Sequence, residues 1–183
     1  MQKSFAQTIT LSPSEGIGEL RIGQSYETVQ SILGFGKLKT YDDYIAEELF
    51  DQDPATMLEC VIGFDYYMKF EHLMSLPVHF IFFKNDKINQ ILITSFPEYF
   101  FSISKDVRMD NGLQFFASKD EVTSAMGEAD LEYDYEWYLL KSCFYFTKGL
   151  TFNFRDGEFR TAHIHNVVST EKANQFAKDL KSR

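Results

Sequence analysis

Two ten-residue blocks set 93 positions apart share a start, a buried stripe and a stop, and this self-similarity limits the fold more than any other feature of the chain. They are Ser25-Tyr26-Glu27-Thr28-Val29-Gln30-Ser31-Ile32-Leu33-Gly34 and Ser118-Lys119-Asp120-Glu121-Val122-Thr123-Ser124-Ala125-Met126-Gly127. Each predicts one short helix. The serine accepts from the free amides of the first turn, and Glu27, or Asp120 and Glu121, follows where the helix dipole favours negative charge. Ser118-x-x-Glu121 also has the spacing of a capping box. Val29, Ile32 and Leu33, matched by Val122, Ala125 and Met126, fall on one apolar stripe, and Gly34 and Gly127 stand where a helix stops. Upstream, Leu20-x-Ile22 and Leu113-x-Phe115 read as brief extended lead-ins at the same offset.

A second correspondence follows the first. His79 to Ile88 aligns with Leu150 to Phe159 at an offset of 71, and Asn85-Asp86 and Asp156-Gly157 read as two-residue hairpin turns. The returning strands are Ile88 to Thr94 and Phe159 to His165. The fall in offset from 93 to 71 leaves about 22 additional residues in the first copy, expected within 42–55. Ala173, Phe176, Ala177 and Leu180 recur at helical spacing behind Ser169 or Thr170 and predict a terminal helix. The expected fold is α+β: two tandem helix-then-antiparallel-hairpin repeats forming one sheet-based unit, plus a C-terminal helix. Repeat 1 covers 1–96 with its insertion, repeat 2 covers 97–168 and the helix covers 169–183, as one compact unit because neither copy alone has chain enough for a good core.

Composition narrows the function. With 44% hydrophobic residues, 25% charged, 10 Gly and 4 Pro, the 183-residue chain is a packed domain rather than a disordered or collagen-like one. Asp and Glu outnumber Lys and Arg by 27 to 18, a net charge of -9 that argues against nucleic acid and anionic membrane as partners and for a basic protein. The longest apolar run, Val78 to Phe83, has the length of a strand, and residues 1–11 alternate without the apolar core of a signal peptide. A cytoplasmic location with reduced thiols at Cys60 and Cys143 is therefore expected.

Leu20, Gly23, Ser25, Val29, Leu33 and Gly34 in the first copy, and Leu113, Ser118, Val122 and Gly127 in the second, make a pattern with Phe116 in place of one glycine. A capped helix ending in Leu-Gly or Met-Gly, followed by antiparallel strands and repeated in tandem, resembles the β-lactamase inhibitor protein-like fold. It is also similar to the small outer-membrane assembly lipoproteins of the SmpA/OmlA type. The resemblance implies a noncatalytic protein-binding scaffold whose sheet offers a concave recognition face.

Candidate recognition residues are acidic. If Glu128 to Trp137 is a strand, Glu128, Asp130, Glu132, Asp134 and Glu136 form one carboxylate row while Tyr133, Tyr135 and Trp137 face the other way. Such a row repels itself until Lys or Arg fills its gaps. Asp42, Asp43, Glu47, Glu48, Asp51 and Asp53 supply an acidic stretch at the equivalent place in the first copy. His163-x-His165 places two imidazoles on one strand face, but no third ligand accompanies them, so no metal and no cofactor is expected. Both cysteines lie in apolar, strand-like contexts that do not activate a thiol, and no nucleophile elbow, phosphate loop or dinucleotide fingerprint occurs. The function expected is a noncatalytic, acidic inhibitor or immunity-type protein that masks a basic site on a toxin or enzyme. The alternative is a small-ligand or lipid-binding protein with an aromatic-lined cavity, for which 30 Phe, Tyr and Trp residues provide material.

Overall fold

The computed structural model describes residues 9–34, 36–48, 54–70, 78–94, 107–135 and 140–181. Its two matched helices form as their sequences dictate. In α1 (Tyr26–Leu33) the Ser25 side chain accepts from the Thr28 amide, and in α4 (Lys119–Met126) Ser118 and Glu121 close a reciprocal capping box. Gly34 and Gly127 end the helices at φ 82° and 78°, a region that a side chain disfavours. The buried stripe is narrower than its sequence suggests: Val29 and Val122 are fully enclosed and Met126 nearly so, whereas Ile32 and Leu33 are half-buried and Ala125 is exposed. Eight residues give little more than two turns, so only the residue at the middle of the contact is covered on all sides.

The architecture is α+β. The main sheet has eight antiparallel strands in the order β4 (Leu38–Thr40), β5 (Tyr66–Lys69), β6 (Val78–Lys84), β7 (Lys87–Thr94), β12 (Glu158–His165), β11 (Leu150–Arg155), β10 (Leu140–Tyr145), β9 (Leu131–Tyr135). The hairpins β6–β7 and β11–β12 turn at Asn85-Asp86 and Asp156-Gly157, and all four turn residues have positive φ, as a tight hairpin turn requires. β7 pairs with β12 from Thr94↔Thr161 to Gln90↔His165, which joins the two hairpins at the sheet centre. A smaller sheet holds β3 (Leu20–Arg21), β2 (Gly16–Ile17), β1 (Ile9–Ser12) and β8 (Val107–Met109), with β8 lying parallel to β1.

Both lead-ins are tied to a hairpin in the same way. The Gly23 amide donates to Ile88 O and the Ile88 amide to Gln24 O, while the Phe116 amide donates to Phe159 O and the Phe159 amide to Ala117 O. Gly23 has φ 90° and Phe116 φ 71°, so the second tether holds a bulky residue in a left-handed conformation. The Phe116 ring lies 4.6 Å from the Arg160 guanidinium. Elsewhere the halves differ. Between β4 and β5 the chain makes an excursion through α2 (Tyr41–Glu47) and α3 (Pro54–Ile62), which is longer than the 42–55 expected and ends seven residues later. Leu113 and Phe115 are buried like Leu20, yet no strand forms over them.

Layers cover both faces of the main sheet. On one face Ile81, Phe83, Ile91, Ile93, Phe152, Ala162 and Ile164 meet Val29, Val122 and the small sheet's Leu11, Ile17 and Val107 in a single core spanning both halves. Against the other face pack α2, α3 and the terminal helix α5 (Thr170–Lys181). Leu58 and Ile62 of α3 join Phe176 and Leu180 of α5 over Phe144, and Tyr44 of α2 meets Phe64, Tyr67, Phe80 and Phe82 edge-on. Three helices thus cover this second face of the main sheet.

Candidate recognition surface

The carboxylate row is shorter than its sequence. β9 is an edge strand, paired to β10 from Leu131↔Phe144 to Tyr135↔Leu140. Within it the expected alternation holds: Glu132 and Asp134 are exposed on the side of Cys143 and Lys141, and Leu131 and Tyr133 pack toward the helices α3 and α5. Glu128 and Asp130 precede the strand. Glu128 is exposed, while Asp130 accepts from the Thr147 amide and hydroxyl at 3.1 and 3.2 Å and so anchors the turn over Phe146–Lys148. Glu136 lies outside the described residues.

Nor is the row unneutralised. Lys119 of α4 donates to Glu132 at 2.7 Å, and Lys141 on β10 stands 3.7 Å from Glu132 and 3.2 Å from Asp134. The Glu132 hydrogen bond holds the Lys119 ammonium above its ordinary pKa. Asp134 nevertheless keeps 67% of its side chain exposed. Of the two carboxylates on β9 it has the more surface left for a partner.

The first acidic stretch is helical and largely engaged. Asp43 closes a capping box, accepting from the Thr40 amide at 2.8 Å, and those Thr40 bonds hold its carboxyl below the usual range. Glu47 pairs with Lys39, and Glu48 accepts from Lys69 at 2.9 and 3.0 Å. Asp42, in the first turn of α2, is exposed, and Asp51 and Asp53 lie outside the described residues. β4 and β9 are the opposite edges of an eight-stranded sheet, seven spacings or about 33 Å apart along it, so the two acidic stretches do not merge into one patch.

His163 and His165 are fully buried on the helix-covered face. The Nδ1 of His165 lies 2.8 Å from Asn166 O and must carry the proton, leaving Nε2 to accept from Thr151 Oγ1 at 3.3 Å. Neither nitrogen of His163 has a partner among the described residues. Burial lowers both imidazoles, His163 well below its ordinary value and His165 to about 4. These rings belong to a buried polar band that sequence reading missed: Gln90 on β7, Thr151 and Asn153 on β11 and Ser142 on β10 share it, and Glu59 of α3 lies near, its backbone carbonyl accepting from Gln90 at 3.2 Å. Its signal was present as polar residues at alternate positions of two strands, Thr151 and Asn153 of β11 and His163 and His165 of β12. Glu59 accepts from the Tyr44 hydroxyl, and burial pushes its carboxyl well above the ordinary value. Among the described residues no three His, Cys, Asp or Glu side chains are grouped to hold a metal ion.

The thiols are both pushed up by burial, Cys143 to about 11, and Cys60 lies half-buried on the helix α3 rather than on a strand. Tyr67 is buried and Tyr66 half-buried on the opposite face, as strand alternation requires. Two adjoining hollows of about 290 and 400 Å³ open beside the β6–β7 turn and the start of α5. Among the described residues their walls carry lysine, asparagine, serine and aliphatic side chains and no aromatic one. Among the described helices none is long and apolar enough to cross a membrane. Neither a known protein family, nor a curated protein, nor a solved structure matches this chain.

Proposed function

We propose that the chain is a noncatalytic protein-binding module that docks a basic site of a partner protein, as an inhibitor or immunity-type protein does, through the edge strand β9. The carrying observation is the coincidence of a strand edge left unpaired among the described residues with the exposed Asp134 and Glu132 in a chain of net charge -9. An edge strand offers unpaired amides and carbonyls, and its side chains add specificity. A partner's Lys or Arg would compete with Lys119 and Lys141 for the same two carboxylates, which sets charge against charge and makes association dependent on salt. The noncatalytic half of the reading is supported by thiols pushed away from ionisation and imidazoles enclosed in the sheet.

The test captures a basic protein from extract of the native cell and then measures its association with the wild type and with the E132Q/D134N variant. Exposed ion pairs contribute less than about 1 kcal/mol each, so the variant should fold as well as the parent. It should associate about three- to ten-fold more slowly and show a flatter salt dependence. Equal association rates at all salt concentrations would remove β9 from the interface.

A further inference from the structure

The helix-covered face of the main sheet is held by two separate apolar clusters with the polar band between them. Tyr67, Phe80 and Phe82 of one cluster stand on β5 and β6, and Phe144 of the other stands on β10. The strands between, β7, β12 and β11, present Gln90, His163, His165, Thr151 and Asn153 instead. The band is incompletely satisfied. Both nitrogens of the buried His163 and the Oε1 of Gln90 have no partner among the described residues, and unmade bonds of this kind weaken the hold of a covering layer. The opposite face does not depend on that layer: among the described residues its core contains no residue of α2, α3 or α5. The helices can therefore lift while the sheet and the main core stay folded.

Groups from every element around the band face the two imidazoles. α3 brings Cys60 and the buried Glu59 carboxyl, bonded to the Tyr44 hydroxyl of α2. β5 brings Tyr67, whose buried hydroxyl has no partner, and α5 brings the uncharged Phe176 and Leu180. At the rim Lys84 and Lys172 reach the Ile62 and Val61 carbonyls, and Lys69 is paired with Glu48. No carboxylate among the described residues pairs with either imidazole. The rings are 5.1 Å apart, so two imidazolium charges in this closed band would also repel each other.

We propose that this face is an acid-opened switch, in which protonation of His163 and His165 releases α3 and α5 from the sheet and uncovers Phe82 and Phe144 while the main core stays folded. Opening admits water to both rings, which then take up the protons that the closed face refuses. Glu59 opposes this, because it gives up on opening a proton that it holds when buried. Below pH 6.5 each ring favours opening by about ten-fold per pH unit and Glu59 resists by about the same factor, which leaves a net rise of about ten-fold per unit. The switch uses neither Glu132 nor Asp134 and stands independently of the β9 assignment.

The test is native-state amide exchange of the full chain at pH 6 and pH 5, with each rate normalised to that of the unfolded chain at the same pH. Amides of α3 and α5 should be at least about ten-fold less protected than those of β7 and β11 at both pH values, and their protection should fall about ten-fold between pH 6 and 5. H163Q should make that fall vanish, since Glu59 then balances His165 alone. E59Q, which leaves both rings in place and keeps the test open should H163Q fail to fold, should steepen it to about a hundred-fold. Equal protection of the helices and the main core would make the opening global and overturn the switch. Helix protection that ignores pH, or an E59Q variant with the slope of the parent, would overturn it as well.

Discussion

Glu59→Gln should stabilise the protein at neutral pH and steepen its loss of stability in acid. Glu59 is 1% exposed on α3, and burial raises its carboxyl well above the 4.5 of a free glutamate. The folded state therefore holds a proton that the unfolded state releases, and stability falls by about 1.4 kcal/mol per pH unit as pH rises from 4.5 toward the folded pKa. Glutamine keeps the shape and the acceptor for the Tyr44 hydroxyl but removes that dependence. His163 and His165 act with the opposite sign. Their folded pKa values are depressed, so below 6.5 the unfolded chain takes up protons that the folded chain refuses, at about 1.4 kcal/mol of lost stability per unit for each ring. In the wild type Glu59 offsets about half of this acid loss wherever it is protonated folded and ionised unfolded; in the variant nothing does. The expected limb is about 1.4 kcal/mol per unit in the wild type and about 2.8 in Glu59→Gln. Urea unfolding followed by far-ultraviolet circular dichroism at half-unit steps from pH 4.5 to 7.5 measures both curves. Parallel curves, or a variant less stable at pH 7, would mean that Glu59 is ionised in the folded protein and that the burial argument fails.

His165→Gln should flatten the same acid limb: a folded pKa near 4 against 6.5 unfolded predicts about 3 kcal/mol lost by the wild type between those pH values, and the denaturation midpoint reads the difference. Val29→Ala should cost about 2 kcal/mol by urea titration and Leu33→Ala about 1, because Val29 is fully enclosed and Leu33 only half. Gly23→Ala should cost about 1 kcal/mol from backbone conformation alone, since φ is 90° and an added methyl meets no atom within 4 Å; an unchanged melting temperature would refute the tether's left-handed geometry.

Much of the candidate surface was legible in the sequence as chemistry but not as placement. The alternation across Leu131–Tyr135 put Glu132 and Asp134 on one side, as period two demands. What alternation does not carry is where a strand begins: Asp130 falls outside β9 because its carboxylate is drawn to the Thr147 amide, 17 residues on. Nor does it say which lysines arrive. Lys119 meets Glu132 because α4 approaches β9 in space, and Lys141 meets it because β10 pairs with β9. The acidic stretch at Asp42 to Glu48 was legible as negative charge, yet Lys39 and Lys69 absorb part of it, and its setting is a helix capped by Thr40.

Local chemistry by itself determined the helices α1 and α4, with caps, stripe and terminal glycines, and the two hairpin turns, because these need only neighbours within a few residues. The α+β class and the terminal helix followed from the same short-range periodicities. Tertiary structure alone decided that α2, α3 and α5 close the second sheet face, that the two acidic stretches stand at opposite edges, and that lysines from a hairpin and a helix line one hollow. Those outcomes depend on contacts between residues as far apart as Val61 and Lys172, whose meeting is set by the packing of Leu58 and Ile62 against Phe176 and Leu180. No local pattern encodes such a meeting, because the apolar stripe of a helix specifies that it must be buried but not against which surface.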